Sequence, residues 1–285
     1  MTTWLVAGAN GMLATDLLEV LAVRRPDDRV VPLDLPELDI TDPVSTARAV
    51  EGVDVVVNCA AWTDVDGAES QEAAAFRVNA VGPATLARAC AAHDAWLLHI
   101  STDYVFAGDA DVPYPEDSPL RPATAYGRTK AAGEWAVRAY LPYASWILRT
   151  AWLYGWGGAN FVSTMLRLAE QRDTLDVVAD QLGQPTWAHD LAHRIVDTVE
   201  VRAPAGTYHS TAAGWTSWHG LAERTFQLSG LDATRVRRTT SDRFPRPADR
   251  PRWSVLGHDR WADAGLAPMP GWEDALQRAL ARRPA

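Results

Sequence analysis

The sequence predicts an α/β protein: a doubly wound parallel sheet over roughly the first half, followed by a smaller C-terminal α/β domain. Three observations carry that prediction. Short apolar runs alternate with helix-patterned segments up to about residue 150, as in a parallel sheet covered on both faces. A glycine turn, Gly8-Ala9-Asn10-Gly11, stands directly between the first run and the first helical segment. With 285 residues, 47% of them hydrophobic, the chain can bury a large core.

Taken in order, residues 3–7 read as the first strand and 12–23 as its helix. Residues 30–34 read as the second strand, followed by a short acidic stretch and a helix over 43–50. A third strand spans 53–58, a loop 59–69, and a helix 73–92. The next strand is 96–101; another, 146–149, follows a helix that carries Tyr126 and Lys130. Past residue 150 the alternation breaks down into a helix at 161–171, a strand at 175–178 and a helix at 190–201. Residues 204–285 are rich in Pro, Arg and Trp, with helices near 217–229 and 272–282 and a charged loop at 243–251. The expected division is 1–150 for the first domain, with a returning segment near 188–212, and 151–285 for the second, packed over the carboxyl ends of the strands.

Composition removes several function classes. The net charge of −9, with dispersed acidic residues, argues against a nucleic-acid partner. No apolar stretch approaches the roughly 18 residues of a membrane span. The two cysteines, Cys59 and Cys90, sit in apolar surroundings, fit a reducing compartment and read as packing residues. The N-terminus runs straight into a strand with no signal-peptide pattern, so a cytoplasmic protein is expected.

The spacing Gly8-x-x-Gly11-x-x-Ala14, between strand and helix, is that of a dinucleotide site. Glycines allow a pyrophosphate to approach the backbone, and the free amides and dipole of the helix starting at Met12 favour its charge. Asp34, at the end of the second strand, has the place of a carboxylate that accepts from the adenine ribose hydroxyls. It would repel a 2′-phosphate and so favour NADH over NADPH, unless Arg24 or Arg25 swings in; a plain turn role for Asp34 stays open. Asp39 and Ile40 are candidate adenine contacts. Later, Tyr126 and Lys130 are four residues apart, on one face of a helix. A fixed cation beside a phenol stabilises phenolate. Beside a bound dinucleotide, the pair is the proton half of a carbonyl/alcohol redox reaction.

The glycine turn, Asn58-Cys59-Ala60-Ala61-Trp62-Thr63, Asn79, Ser101-Thr102-Asp103-Tyr104-Val105-Phe106 and Tyr126-Gly127-Arg128-Thr129-Lys130 together resemble the extended short-chain dehydrogenase/reductases, a Rossmann-like superfamily. Within it the chain resembles the dTDP-4-dehydrorhamnose reductase family nearly end to end. Arg149-Thr150-Ala151-Trp152-Leu153-Tyr154, Asp180-Gln181-Leu182-Gly183-Gln184-Pro185-Thr186, Gly206-Thr207-Tyr208-His209 and Arg250-Pro251 extend the likeness. The resemblance implies NADPH or NADH reducing the C4 ketone of a dTDP-4-keto-6-deoxyhexose. Catalysis would fall to Tyr126 as proton donor, Lys130, and Thr102 as a hydroxyl donor to the oxygen on which charge develops. Bringing a phenol from about 10 to about 7 takes roughly 3 units, or about 4 kcal/mol, expected from Lys130 and the oxidised nicotinamide. The dinucleotide would meet Gly8, Asn10, Gly11, Met12, Asp34, Asp39, Ile40, Ala60, Ala61, Thr63, Tyr126 and Lys130. Asp103, Trp152 and Val65 would contact the sugar, and Arg250 the diphosphate, where a guanidinium fork suits phosphate oxygens.

The sequence departs from the family at Ala14, a small residue in the third glycine's place, which still permits helix-on-strand packing. Some relatives hold Mg²⁺ with carboxylates at a homodimer interface. Asp16 matches one such position, but His189 stands where a second acid is expected, which argues against Mg²⁺ and that mode of dimerisation. The 4,6-dehydratases need Asp-Glu after the Thr, and here Thr102-Asp103 is followed by Tyr104. Fucose-synthase-type enzymes add a Cys and a His, and no His matches. A sister reductase of antibiotic deoxysugar assembly, of the dihydrostreptose type, stays open. Against a non-catalytic regulatory subunit stand intact Thr102, Tyr126 and Lys130.

Overall fold

Successive strand side chains point to opposite faces of a sheet, and here both faces are apolar. In the computed structural model, which describes residues 1–284, Trp4 and Val6 join one buried cluster while Leu5 and Ala7 join another. The chain opens with β1 (Thr3–Ala7), α1 (Met12–Arg24), β2 (Arg29–Leu33), α2 (Pro43–Val50) and β3 (Val55–Asn58). Asp42 caps α2 by accepting the Val44 N–H, with Pro43 in the first turn where no donor is lost.

The segment read as a loop after β3 contains a helix, α3 (Val65–Ser70), capped by Asp64 through the Gly67 N–H. The single helix expected over 73–92 is α4 (Glu72–Phe76), a π-turn (Arg77–Val81) and α5 (Gly82–Ala92) in succession. Its apolar pattern runs on unbroken through the π-turn, so periodicity alone does not reveal the change of hydrogen bonding. β4 (Trp96–Thr102), α6 (Ala125–Tyr140) and β5 (Ser145–Thr150) follow.

Beyond β5 come β6 (Leu153–Tyr154), α7 (Phe161–Ala169), β7 (Leu175–Val178), β8 (Leu182–Gly183), β9 (Thr186–Trp187) and α8 (Ala188–Glu200). The remainder is β10 (Gly206–His209), β11 (Thr216–Ser217), α9 (Trp218–Leu228), β12 (Val236–Thr239), α10 (Arg260–Asp263) and α11 (Trp272–Ala281). The main sheet has the order β10-β5-β4-β3-β1-β2, with every pairing parallel. Leu13 and Leu17 of α1 and Leu191 and Ile195 of α8 cover one face. Val50, Leu86 and Val137, from α2, α5 and α6, cover the other. Thus α8 and β10 return to the first layer after the excursion of β6–β9. Trp261 of α10 and Met269 also join the first layer's cluster, while α7 and α9 share two further apolar clusters, one of them with α11, and β7 pairs with β12.

Candidate active site

The chain turns from β1 to β2 on one side and returns to β3 on the other, which opens a crevice at their carboxyl ends. Gly8 lies at that point with φ +78°, and a Cβ there would come within 2.6 Å of the Ala60 nitrogen. Both the backbone angle and the close approach therefore require glycine. No side chain caps the start of α1, which leaves its first amides for a ligand. Ala14 is fully buried between α1 and the sheet, the packing role read from its size.

A cavity of about 780 Å³ extends from this turn past the ends of β3 and β4 to β5. Gly8, Gly11, Met12, Asp34, Asp39, Ile40, Ala60, Ala61 and Thr63 line one part. Val65, Thr102, Asp103, Tyr126, Lys130 and Trp152 line the other. Asn10 is not in the lining: its N–H donates to Asp34 Oδ2 at 2.9 Å, while Oδ1 accepts the Leu35 N–H at 2.8 Å. Asp34 thus braces the glycine turn and faces the cavity at once. Asp39 accepts both the N–H and the hydroxyl of Thr41, which holds its carboxyl below the usual range.

At the other end, β4 runs out at Thr102. Its Oγ1 accepts the Tyr104 N–H at 3.2 Å and donates to Asp103 Oδ1 at 2.9 Å. Asp103 is only 3% exposed. Burial pushes its carboxyl up to about 6, with hydrogen bonds from Ser254 and Thr102 working against the shift. Tyr126 occupies the first turn of α6, which Thr124 caps through the Gly127 N–H. Lys130, one turn on, is buried and donates from Nζ to the Ile100 carbonyl at 2.6 Å.

Burial first, and the Asp103 carboxyl second, push the Tyr126 phenol upward, and its hydrogen bond with Thr102 only moderates this. Lys130 is not among the protein groups that shift the phenol. Burial instead lowers Lys130 to about 8, against the pull of Glu134 and Cys59. At neutral pH the site therefore holds a protonated phenol and a largely protonated ammonium.

Trp152 departs from ordinary backbone geometry, with φ +47°. One face of its indole stacks on Trp218, centroids 3.6 Å apart and planes 7° from parallel. Arg250 lies outside the cavity lining. It donates to Asp66 Oδ2 at 2.9 Å and to the Ala248 carbonyl, and borders a smaller cleft that also touches Tyr104. An ion pair to a carboxylate of α3 has claimed its guanidinium. The two cysteines lie in apolar surroundings and burial pushes both thiols up to about 12.

Around Asp16 and His189 the residues do not fit Mg²⁺. The buried Asp16 Oδ2 has no hydrogen-bond partner, and its carboxyl rises to about 6 through burial and the nearby Glu19. The cation facing these groups is Arg282, which hydrogen-bonds His189 Nε2 and pairs with Glu19. Among the described residues, no cluster of three or more His, Cys, Asp or Glu is placed to hold a metal.

Several residues that shape the site carried no chemical signal of their own. Asn79, in the π-turn, accepts the Trp62 N–H and donates to the Trp62 carbonyl and Thr129 Oγ1, tying the cavity loop to α6. Asn58 accepts the Ala60 N–H and donates to His99, whose imidazole burial keeps neutral. One turn beyond Lys130, Glu134 accepts from Ser101 at 2.6 Å and, in a two-pronged pair at 2.8 Å, from Arg149. Arg149 also meets His209 Nε2, whose Nδ1 lies against the Gly257 carbonyl and must donate to it. The string 180–186 is a fastening. Asp180 accepts from Ser241, and Gln184 accepts from Thr211 and the Leu256 N–H, which binds the C-terminal loops to the cavity wall.

With this geometry in view, the relatives are informative. The model of the family described as RmlD substrate binding domain matches residues 1–284. A dTDP-4-dehydrorhamnose reductase from Streptomyces griseus is 52% identical over 283 residues, 97% of this chain and 92% of that protein. A probable dTDP-4,6-dihydroxy-2-methyloxan-3-one 4-ketoreductase from Streptomyces antibioticus is 50% identical, covering 97% of this chain and 94% of the relative. The crystal structure of dTDP-4-dehydrorhamnose reductase from Bacillus anthracis in complex with NADP superposes with a TM-score of 0.94 at 36% identity, covering 99% of both chains. The chain belongs to the dTDP-4-dehydrorhamnose reductase family.

Proposed function

We propose that this protein reduces the C4 ketone of a dTDP-4-keto-6-deoxyhexose with NADPH or NADH, converting dTDP-4-dehydro-L-rhamnose to dTDP-L-rhamnose. One observation carries the reading: Tyr126, Thr102 and Lys130 face the same cavity as the Gly8 turn. The residues fit a nicotinamide dinucleotide. The Gly8 backbone and the open start of α1 suit its pyrophosphate, Asp34 its adenine ribose, and Lys130 its nicotinamide ribose. Bound there, the cofactor supplies the hydride.

The protein's part is the proton and the charge. Burial keeps the Tyr126 phenol protonated at neutral pH, so it can give its proton to an alkoxide forming at C4. A ketone oxygen beside Tyr126 competes with Asp103 for the Thr102 hydroxyl proton, and gains that donor as charge develops. The phenolate left behind is a buried anion, which the Lys130 ammonium on the same helix face offsets. Val65 and Trp152 supply apolar surface for the sugar.

A second reading, reduction of another dTDP-4-keto sugar, draws on the Streptomyces antibioticus relative, nearly as similar as the Streptomyces griseus reductase. Both readings use the same proton donor and differ in sugar contacts. A coupled assay separates them: dTDP-4-keto-6-deoxyglucose with and without a 3,5-epimerase, NADPH or NADH in turn, and the product sugar identified by NMR. The proposal expects dTDP-L-rhamnose only when the epimerase is present. Turnover without it, giving an unepimerised 6-deoxysugar, supports the second reading, and no turnover with any 4-keto sugar rejects both. Asp34→Ala in the same assay should relax a preference for NADH; an unchanged cofactor ratio removes Asp34 from ribose recognition.

A further inference from the structure

Trp152 stands where β5 has ended and β6 has not begun, and its φ of +47° lies in a region that bulky L-residues avoid. A conformation of that kind persists only where the surroundings impose it. Two neighbours do so. Trp218, first residue of α9, lies flat on the indole at 3.6 Å, and Phe161 of α7 tilts against Trp218 from 4.6 Å. Gly183 of β8 leaves the remaining space: a Cβ there would fall 2.4 Å from Trp152 Cε2. Both are delivered by one pairing, since β11, which leads directly into Trp218, runs antiparallel to β8 with Thr216 opposite Gly183. Trp152 lines the cavity and Trp218 does not. Trp218 packs against both apolar clusters of the C-terminal helices.

We propose that Trp218 is a positioning residue for sugar recognition. It clamps Trp152 in its left-handed conformation, with Gly183 as the required gap, so that the indole presents a fixed apolar wall to the sugar. The inference rests on the ketoreductase reading above and adds to it a cause, outside the cavity, for the shape of the sugar site.

The test is steady-state kinetics of Trp218→Leu, Trp218→Phe and Gly183→Ala with the dTDP-4-keto sugar that the wild-type protein reduces. Cofactor dissociation constants and thermal midpoints are measured alongside. Trp218→Leu should raise KM for the sugar about tenfold or more while kcat stays within about threefold. Cofactor affinity should be unchanged, and Trp218→Phe, which keeps a stacking face, should restore most of the loss. Gly183→Ala should raise KM similarly, by pushing the indole into the cavity. A folded Trp218→Leu with wild-type KM overturns the proposal, as does a loss of sugar and cofactor affinity in parallel, the mark of general damage. If Trp218→Leu does not fold, Gly183→Ala decides, and an unchanged KM there overturns it. A wild-type protein that reduces no 4-keto sugar rejects the functional reading itself; normal wild-type turnover with unmoved variants rejects only the role of Trp218.

Discussion

Lys130 shows how far a single residue can be held from its ordinary behaviour. It is 2% exposed, and burial lowers it from 10.5 to about 8, so at pH 7 the fold carries a buried ammonium with one hydrogen bond, to the Ile100 carbonyl. A depressed lysine costs stability in full below its folded value, and the cost fades as pH rises toward the unfolded one. Lys130→Met should therefore stabilise the protein at pH 7 by about 2 kcal/mol, the shift partly offset by the lost bond, while abolishing reduction. The gain should be greatest below pH 8 and be lost before pH 10.5, where only the missing hydrogen bond remains. Thermal melts across that range check it; a variant less stable than wild type at pH 7 contradicts it. At this scale the sequence was informative about identity and poor about electrostatics. Tyr126 and Lys130 stood out by spacing, but the direction of the phenol's shift depends on burial and on Asp103, neighbours that spacing does not reveal. The ion pair of Arg250 was hidden for the same reason, since its partner Asp66 lies 184 residues away in sequence.

Among elements, the contact between α6 and the β4–β5 pair sets where Tyr126 and Thr102 meet. Glu134 is fully buried and joins α6 to Ser101 on β4 and Arg149 on β5, so these three elements share one polar joint. Arg149, itself 1% exposed, would be left uncompensated by Glu134→Gln. Breaking such a pair by removing one partner costs about 3–5 kcal/mol. Urea unfolding should show a loss of that size, and a loss below about 1 kcal/mol would mean that Arg149 finds other partners. The main strands and long helices were readable because their apolar runs and 3.6-residue patterns exceed one turn or one strand. α3, the π-turn, α10, the two-residue strands β6, β8, β9 and β11 and the four-residue strands β10 and β12 were not: each is too short to show a clear period.

For the molecule as a whole, the cavity lies at the carboxyl ends of the main-sheet strands and is lined almost wholly by residues up to 150, with Ala151, Trp152, Leu153 and Ala159 completing it. The N-terminal half brings the glycine turn and the proton donor; the C-terminal half brings Ser254 beside Asp103 and the Trp218–Trp152 stack. The fold class and about half of the cavity lining could be read along the chain, since the N-terminal motifs are local. The support behind Trp152, from 180–186 and 216–218, could not, because it depends on pairings between distant short segments. The account stands or falls on Tyr126 handing its proton to the sugar oxygen inside that cavity. Single-turnover oxidation of bound NADPH by the 4-keto sugar in Tyr126→Phe, with cofactor affinity measured separately, tests this most directly. Reduction should slow by at least about 10²-fold, with cofactor binding within about threefold of wild type; a wild-type rate in that variant would contradict the account.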